Sequence, residues 1–572
     1  MPPLPPTQFP PAPGPDDFRM LRERGHHYVD KTRLIVEWLR SPDQVILLPR
    51  PRRFGKTLNL SMMRAFLSRG EGDAAALFEG LEVQRAGPEI LTHQGRYPVI
   101  FVSLKDTKAG SYTDFVAAMR SVIRLLVAEH RALLESPAVE PSQRARLARL
   151  LAGEADEETL RMSLRDLSTG LRDHYGEPTV ILIDEYDAPI EAAFMSQGYD
   201  EVIRFMQGML GAALKSNPSL YRGVLTGVRR VAKETLFSDL NNVRTCTLLD
   251  PEYATAFGFT EDEVRAVLVA AGRLDALPEV RRWFNGYIFG GQNLYNPWSV
   301  LSFAQQGVLK DYWVATSSDA LLRRVLLRSD GLEGDFELLL GGASVEKRID
   351  PQVALRDLDQ EPGGVWSLLL TAGYLRADDV RYEHGEAVVS LAIPNIEVNN
   401  VWRRSFLSWL QRSGGGEASV KRLHHALLSG QTQDLARLLA VMVQNALSYH
   451  DTGIGPDSAP ERVYQAFTLG LLVSLEPGWR VRSNRESGLG RADVLIIPSA
   501  AGRPGVVLEF KRVWVEEGET PEQALNDAQR QITERRYAAE LWAAGASVVY
   551  AVAIAFEGKR VWARGEQVPS PG

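Results

Sequence analysis

Apolar runs of strand length alternate with stretches whose apolar residues recur every three or four positions, over the first half of the chain. Val45-Ile46-Leu47-Leu48 comes first, then Tyr97 to Leu104, then Thr179-Val180-Ile181-Leu182-Ile183, then Tyr221 to Thr226. Helical spacing follows the first run at Leu58, Leu60, Met63, Phe66 and Leu67 and precedes it at Leu34, Ile35, Trp38 and Leu39. Helices over about 111–135 and on to about 175 separate the second and third runs. Short, fully apolar strands joined by helices predict a mostly parallel sheet covered on both faces.

Beyond residue 250 the pattern turns mainly helical, with aromatic-rich pieces such as Trp283 to Tyr287 and a strand-like run from Ala387 to Ile393. Helices near Tyr449 and from Pro460 to Leu475 give way to strand signals at 480–483, 493–497, 506–511 and 547–554, with a helix over about 520–543. The expectation is an α/β multidomain chain. Residues 1–17 are a proline-rich disordered tail, 18–250 a P-loop-type parallel-sheet domain, 251–404 a helical region, and 405–572 a second α/β domain.

Composition narrows the classes. A length of 572 residues exceeds what one core supports. A formal charge of −7 argues against a uniformly basic nucleic-acid coat, while leaving local basic grooves open. The single cysteine, Cys246, makes no internal disulfide, and the nine histidines show no metal-ligand spacing. No apolar run is long enough to span a bilayer and no secretory signal pattern opens the chain, so a cytoplasmic protein without a membrane partner is expected.

Chemistry concentrates first after Val45–Leu48, where Arg50-Pro51-Arg52-Arg53-Phe54-Gly55-Lys56-Thr57 leads into a helix. Strand, turn, Gly-Lys-Thr and helix together form a phosphate cradle: helix-start N–H groups face the phosphates, Lys56 adds charge, and Thr57 offers a hydroxyl to Mg2+. Arg50 stands where the usual first glycine would be. Asp184-Glu185 ends a buried run further on, supplying one carboxylate for the ion and one to polarise water. Thr226 ends the next strand, where a hydroxyl can sense the γ-phosphate; Arg52, Arg53, Arg229 and Arg230 are candidate arginine fingers.

These segments resemble the bacterial "AAA-ATPase-like" family, as do Tyr28 to Thr32, Leu225 to Val228, Leu240-Asn241-Asn242 and Leu294 to Val300. The resemblance covers about residues 18–560, and in that family Arg50 in place of glycine is normal. It implies a P-loop ATPase using ATP and Mg2+, a lid- or winged-helix-like middle, and a C-terminal PD-(D/E)XK nuclease-like domain with a restriction-endonuclease-like fold. The residues test that implication. Glu509 and Lys511 sit two apart on one strand and so share a face, while Asp493 opens the strand before it. Two carboxylates on adjacent strands suit one Mg2+ or Mn2+ ion, and a lysine beside them suits a water attacking phosphorus. The resemblance adds Glu461 as a further metal ligand and Gln531 as an orienting residue.

The expectation is an ATPase whose nucleotide state gates a metal-dependent nuclease acting on nucleic acid, DNA ahead of RNA, with a homo-oligomer left open. The rival is a nucleotide switch whose C-terminal domain binds nucleic acid or protein and cuts nothing.

Overall fold

The computed structural model describes residues 9–70, 74–194, 196, 198–228, 240–313, 333–350, 363–413, 416–448, 475, 478–484, 493–514, 518–534, 537–557 and 560–570. Packing divides the chain into two compact units, Met1–Trp313 with Glu346–Val398, and Val314–Val345 with Asn399–Gly572.

The first unit is built on β1 (Val45–Pro49), β2 (Val99–Ser103), β3 (Thr179–Asp184), β4 (Leu220–Gly227) and β5 (Val243–Thr245), in the order β2-β3-β4-β1-β5. Every neighbouring pair is parallel. The four predicted strands are present. The fifth, three residues long and only half-buried at the sheet edge, lacks the apolar run that marks the others.

Helices cover this sheet because their apolar residues fall on one side. In the helix Glu157–Tyr175, Leu160, Leu164, Leu167 and Leu171 are buried at steps of three and four. Asp156 caps its start by accepting from Thr159 N, a contribution of about 1 kcal/mol, and Gly176 ends it at φ +74°. Truncating Leu164 to alanine would cost roughly 2–5 kcal/mol. The strand order has one consequence for chemistry. β4 lies between β1 and β3, so its C-terminal end adjoins both the loop after β1 and the end of β3, where ligands collect in open α/β sheets.

The stretch 251–404 does not form a unit of its own, as most of it packs within the first. Helices Glu261–Ala270, Leu277–Phe284 and Pro297–Gln306 enclose Val264, Val267, Leu268, Val280, Phe284, Val300 and Phe303, beside the hairpin of β6 (Tyr287–Phe289) and β7 (Gln292–Leu294). This stretch is also less helical than expected. β8 (Val345–Ile349), β9 (Arg376–Glu383) and β10 (Glu386–Ala392) make a sheet in the order β8-β10-β9. β10 is the apolar run read from sequence; β9 is a mostly exposed edge strand, too polar to stand out. Packed structure also begins before Phe18: within the expected tail, the Phe9 ring stacks on His26 at 5.0 Å, and Asp17 caps the helix Phe18–Glu23.

The second unit holds β11 (Trp479–Asn484), β12 (Asp493–Pro498), β13 (Gly505–Arg512), β14 (Val549–Glu557) and β15 (Arg560–Val568), hydrogen-bonded in that order. Only β13 and β14 run parallel. One core joins Leu495, Val507, Ile532, Leu541 and Val549; another joins Val513, Ala524, Ala528, Ala553 and Ala555. The helix expected over about 520–543 is described as two, Pro521–Glu534 and Tyr537–Ala543. Among the described residues no helix is long and apolar enough to cross a membrane.

Candidate functional site

β1 is buried along its whole length and delivers the chain to the phosphate loop. Gly55 holds φ +83° as the helix Lys56–Leu67 begins, a conformation that costs a glycine little. Arg53 holds φ +69° two residues earlier, an uncommon state for a side chain of its size. Phe54 anchors the loop from below, fully buried against Tyr287 and Phe289 at 4.9 and 5.1 Å between ring centroids.

The unusual Arg50 has a structural task. It is fully buried, its Nη1 donates to the carbonyls of Pro49 and Cys246 at 2.8 Å, and its guanidinium lies over the Phe257 and Phe289 rings. Burial lowers its pKa to about 10, so it stays charged at neutral pH. The loop start is thereby tied to the residue after β5, and Arg50 N donates to Gly227 O at the end of β4.

Across the loop, Asp184 is held from two sides. Thr57 Oγ1 donates to its Oδ2 and Thr226 Oγ1 to its Oδ1, both at 2.6 Å, and Glu185 N adds a third bond at 3.0 Å. Asp184 is 1% exposed, so these donors replace water around a buried carboxylate. Lys56 Nζ donates to Arg50 O and Pro51 O, and burial pulls its pKa down against the raising influence of Asp184 and Asp187. Hydroxyl and carboxylate oxygens converging beside a lysine fit a hard divalent ion shared with phosphate oxygens. Glu185 follows at φ +50°, half-buried.

Lys56, Thr57, Asp184, Glu185 and Thr226 therefore lie together at the end of the sheet. Arg52 pairs with Glu191 at 3.4 Å, and Arg53 stacks on Trp298 at 4.1 Å from the ring centroid. Arg229 and Arg230 lie outside the described residues. Asp187 was missed as a site residue. It accepts from Val228 N at 2.9 Å, and a Cβ at Gly227 would come within 2.5 Å of its Oδ1, so only glycine lets β4 and this carboxylate meet. Its signal was present in the acidic run that follows β3. Trp313, whose Nε1 donates to Arg52 O, and Glu397, which binds the N–H groups of Tyr312 and Trp313, gave no signal in sequence.

In the second unit, antiparallel register sets Asp493 directly opposite Glu509. Cross-strand partners of this kind lie about 4.5–5.5 Å apart at Cβ and share a face. The Asp493 side chain is outside the described residues, as is all of Glu461. Glu509 is 0% exposed, and among the described residues neither of its carboxylate oxygens has a hydrogen-bond partner. Lys511 Nζ stands 4.0 Å from its Oε1, close enough for charge attraction and too far for a hydrogen bond. A buried carboxylate with both oxygens unmet is a donor set that a divalent cation would complete. Gln531, on the helix Pro521–Glu534, likewise keeps a buried Oε1 without a partner among the described residues. Among the described residues, no three His, Cys, Asp or Glu side chains cluster as a metal site.

Comparison with known proteins agrees with both halves. Residues 13–237 match the family model of a predicted AAA-ATPase, and residues 459–566 match that of the PD-(D/E)XK nuclease superfamily. An "Uncharacterized protein in vnfD 5'region" of Azotobacter chroococcum mcd 1 is 28% identical over 389 residues, covering 67% of each chain. No solved structure matches. The chain is thus an α/β protein with an AAA-ATPase-like region followed by a nuclease-superfamily region, the two-part organisation that its motifs resemble.

Proposed function

We propose that the first unit binds and hydrolyses ATP with Mg2+, and that the second cleaves nucleic-acid phosphodiesters with Mg2+ or Mn2+, under control of the nucleotide state. The observation that carries this reading is the pairing of Thr57 and Thr226 on Asp184, which fixes the ion-binding carboxylate against the phosphate loop. A divalent ion there offsets phosphate charge. Lys56 would leave the loop carbonyls it now holds and meet the β and γ phosphates, exchanging two neutral acceptors for charged ones. Thr226, bonded to Asp184 next to the expected γ-phosphate position, would register whether that phosphate is present. Glu185 would orient the attacking water. In the second unit Asp493 and Glu509 would hold the ion, Lys511 would stabilise charge developing at phosphorus, and Gln531 would orient water or substrate.

Gating is the natural use of the two activities on one chain, and DNA is the substrate favoured over RNA. The test incubates the full chain with plasmid, single-stranded DNA and RNA, with Mg2+ or Mn2+, with and without ATP. Lys56→Ala and Lys511→Ala variants run alongside. Cleavage lost in Lys511→Ala establishes the nuclease, and its loss in Lys56→Ala as well establishes the gate. ATP hydrolysis with no substrate cut under any condition would favour the non-catalytic switch.

A further inference from the structure

Glu397 is a fully buried carboxylate that the chemistry of neither site uses. Its Oε1 accepts from the backbone N–H groups of Tyr312 and Trp313 at 2.5 and 2.7 Å, and its Oε2 accepts from Ser299 Oγ at 2.8 Å. These donors replace the water lost on burial, and in doing so they fasten one chain segment to two others.

Both of those segments reach the phosphate loop. Trp313 Nε1 donates to Arg52 O at 3.2 Å, and its ring packs edge-on against Tyr374 at 5.2 Å. Trp298, the residue before Ser299, carries the Arg53 guanidinium 4.1 Å from its ring centroid. Two successive loop residues thus each meet a tryptophan, and Glu397 binds beside each tryptophan. Lys56 Nζ holds the carbonyls of Arg50 and Pro51, and Trp313 holds the next one along. A phosphate that draws Lys56 away changes the donors on this row of carbonyls, at whose end Trp313 sits.

The same residues mark where the chain changes unit. It passes from the first unit to the second after Trp313 and again after Val398. Glu397 therefore joins these two exits by hydrogen bonds made wholly inside the first unit. The second exit lies within a helix, since Ile396–Ser413 starts in the first unit and continues into the second. A rigid helix passes on a displacement of its first turn, whereas a loose linker absorbs it.

We propose that Glu397 and Trp313 form the link that passes the state of the phosphate loop to the helix Ile396–Ser413, and through it to the second unit. The assignment rests on the nucleotide-gating reading and gives it a route. Trp313 is a positioning residue: its indole N–H follows the Arg52 carbonyl, and its backbone N–H is tied to Glu397 in the first helical turn. What the nucleotide changes is the placement of Lys56, on loop carbonyls when the loop is empty and on phosphates when it is filled.

The test follows backbone amide hydrogen exchange in the full chain, empty and saturated with Mg2+ and the β,γ-imido analogue of ATP. Wild type is compared with Trp313→Phe, which keeps a ring against Tyr374 and removes the indole N–H, and with Glu397→Ala. Thermal melts report folding, and if one variant unfolds the other decides. In wild type the analogue should slow exchange over residues 50–57 and change it over 399–413 by about twofold or more. In both variants the response over 50–57 should remain and the response over 399–413 should vanish. Protection of 50–57 without a change over 399–413 in wild type, or a change that persists in a folded variant, overturns the link while the nucleotide site stands. An analogue that alters neither segment in wild type overturns the nucleotide reading and the link together.

Discussion

Asp184 and Glu509 are both strand carboxylates in predicted metal sites, and both are buried almost completely. Their surroundings are opposite. Asp184 accepts from two hydroxyls and a backbone N–H, whereas Glu509 has no hydrogen-bond donor within reach among the described residues and only Lys511 at 4.0 Å. Donors replace the water that a buried carboxylate loses, and a carboxylate without them pays the full desolvation penalty. Among the described residues the first carboxylate is organised by its own neighbours, and the second is not.

The largest effect is expected at the cradle. Lys56→Ala should weaken triphosphate binding by about 100-fold, the scale of removing one buried donor to an oxyanion. Equilibrium titration checks this, and retained tight binding would sink the assignment. Next comes the metal dependence of the second site. Mg2+ or Mn2+ at about 100 times its dissociation constant should stabilise this unit by about 2.7 kcal/mol, and Glu509→Ala should abolish both that gain and cleavage. A thermal shift that persists in Glu509→Ala would place the ion elsewhere.

Thr226→Val tests the organised site more gently. It keeps the shape while removing one donor to Asp184, so ATP turnover should fall about tenfold with stability lowered by about 1–3 kcal/mol. Unchanged turnover in a folded variant would mean that Thr226 only supports Asp184 structurally.

The smallest effect concerns pH. Glu397 is fully buried, and burial raises its pKa to about 7 despite bonds from Trp313 N at 2.7 Å, Ser299 Oγ at 2.8 Å and Tyr312 N at 2.5 Å. Its folded pKa lies above the ordinary 4.5. The stability it gives is therefore full below about pH 4.5 and is lost as pH rises toward 7, a change on the order of 1–3 kcal/mol. Denaturant titrations across this range should show the slope, and Glu397→Gln should flatten it. Because Trp313 Nε1 donates to Arg52 O, nucleotide affinity in the same window should respond as well. A slope that survives in Glu397→Gln would assign it to other groups.

What was legible in the sequence follows from local physics. Continuous apolar runs flanked by helical spacing marked β1 to β4, β10 and β12 to β14, since a strand buried on both faces has no polar positions to dilute its signal. Gly55, Lys56 and Thr57, Asp184 at a strand end, and Glu509 with Lys511 were readable because their chemistry depends on neighbours in sequence. Edge strands β5, β9 and β15 escaped, their half-exposed residues carrying a mixed pattern. Tertiary structure alone decided that β4 lies between β1 and β3, and so that Thr226 and Thr57, 169 positions apart, bind one carboxylate. It also decided that Arg50 binds the carbonyl of Cys246 and that Arg53 meets Trp298. Sequence specifies what each residue can donate, accept or bury; only sheet order and packing determine which distant groups satisfy it.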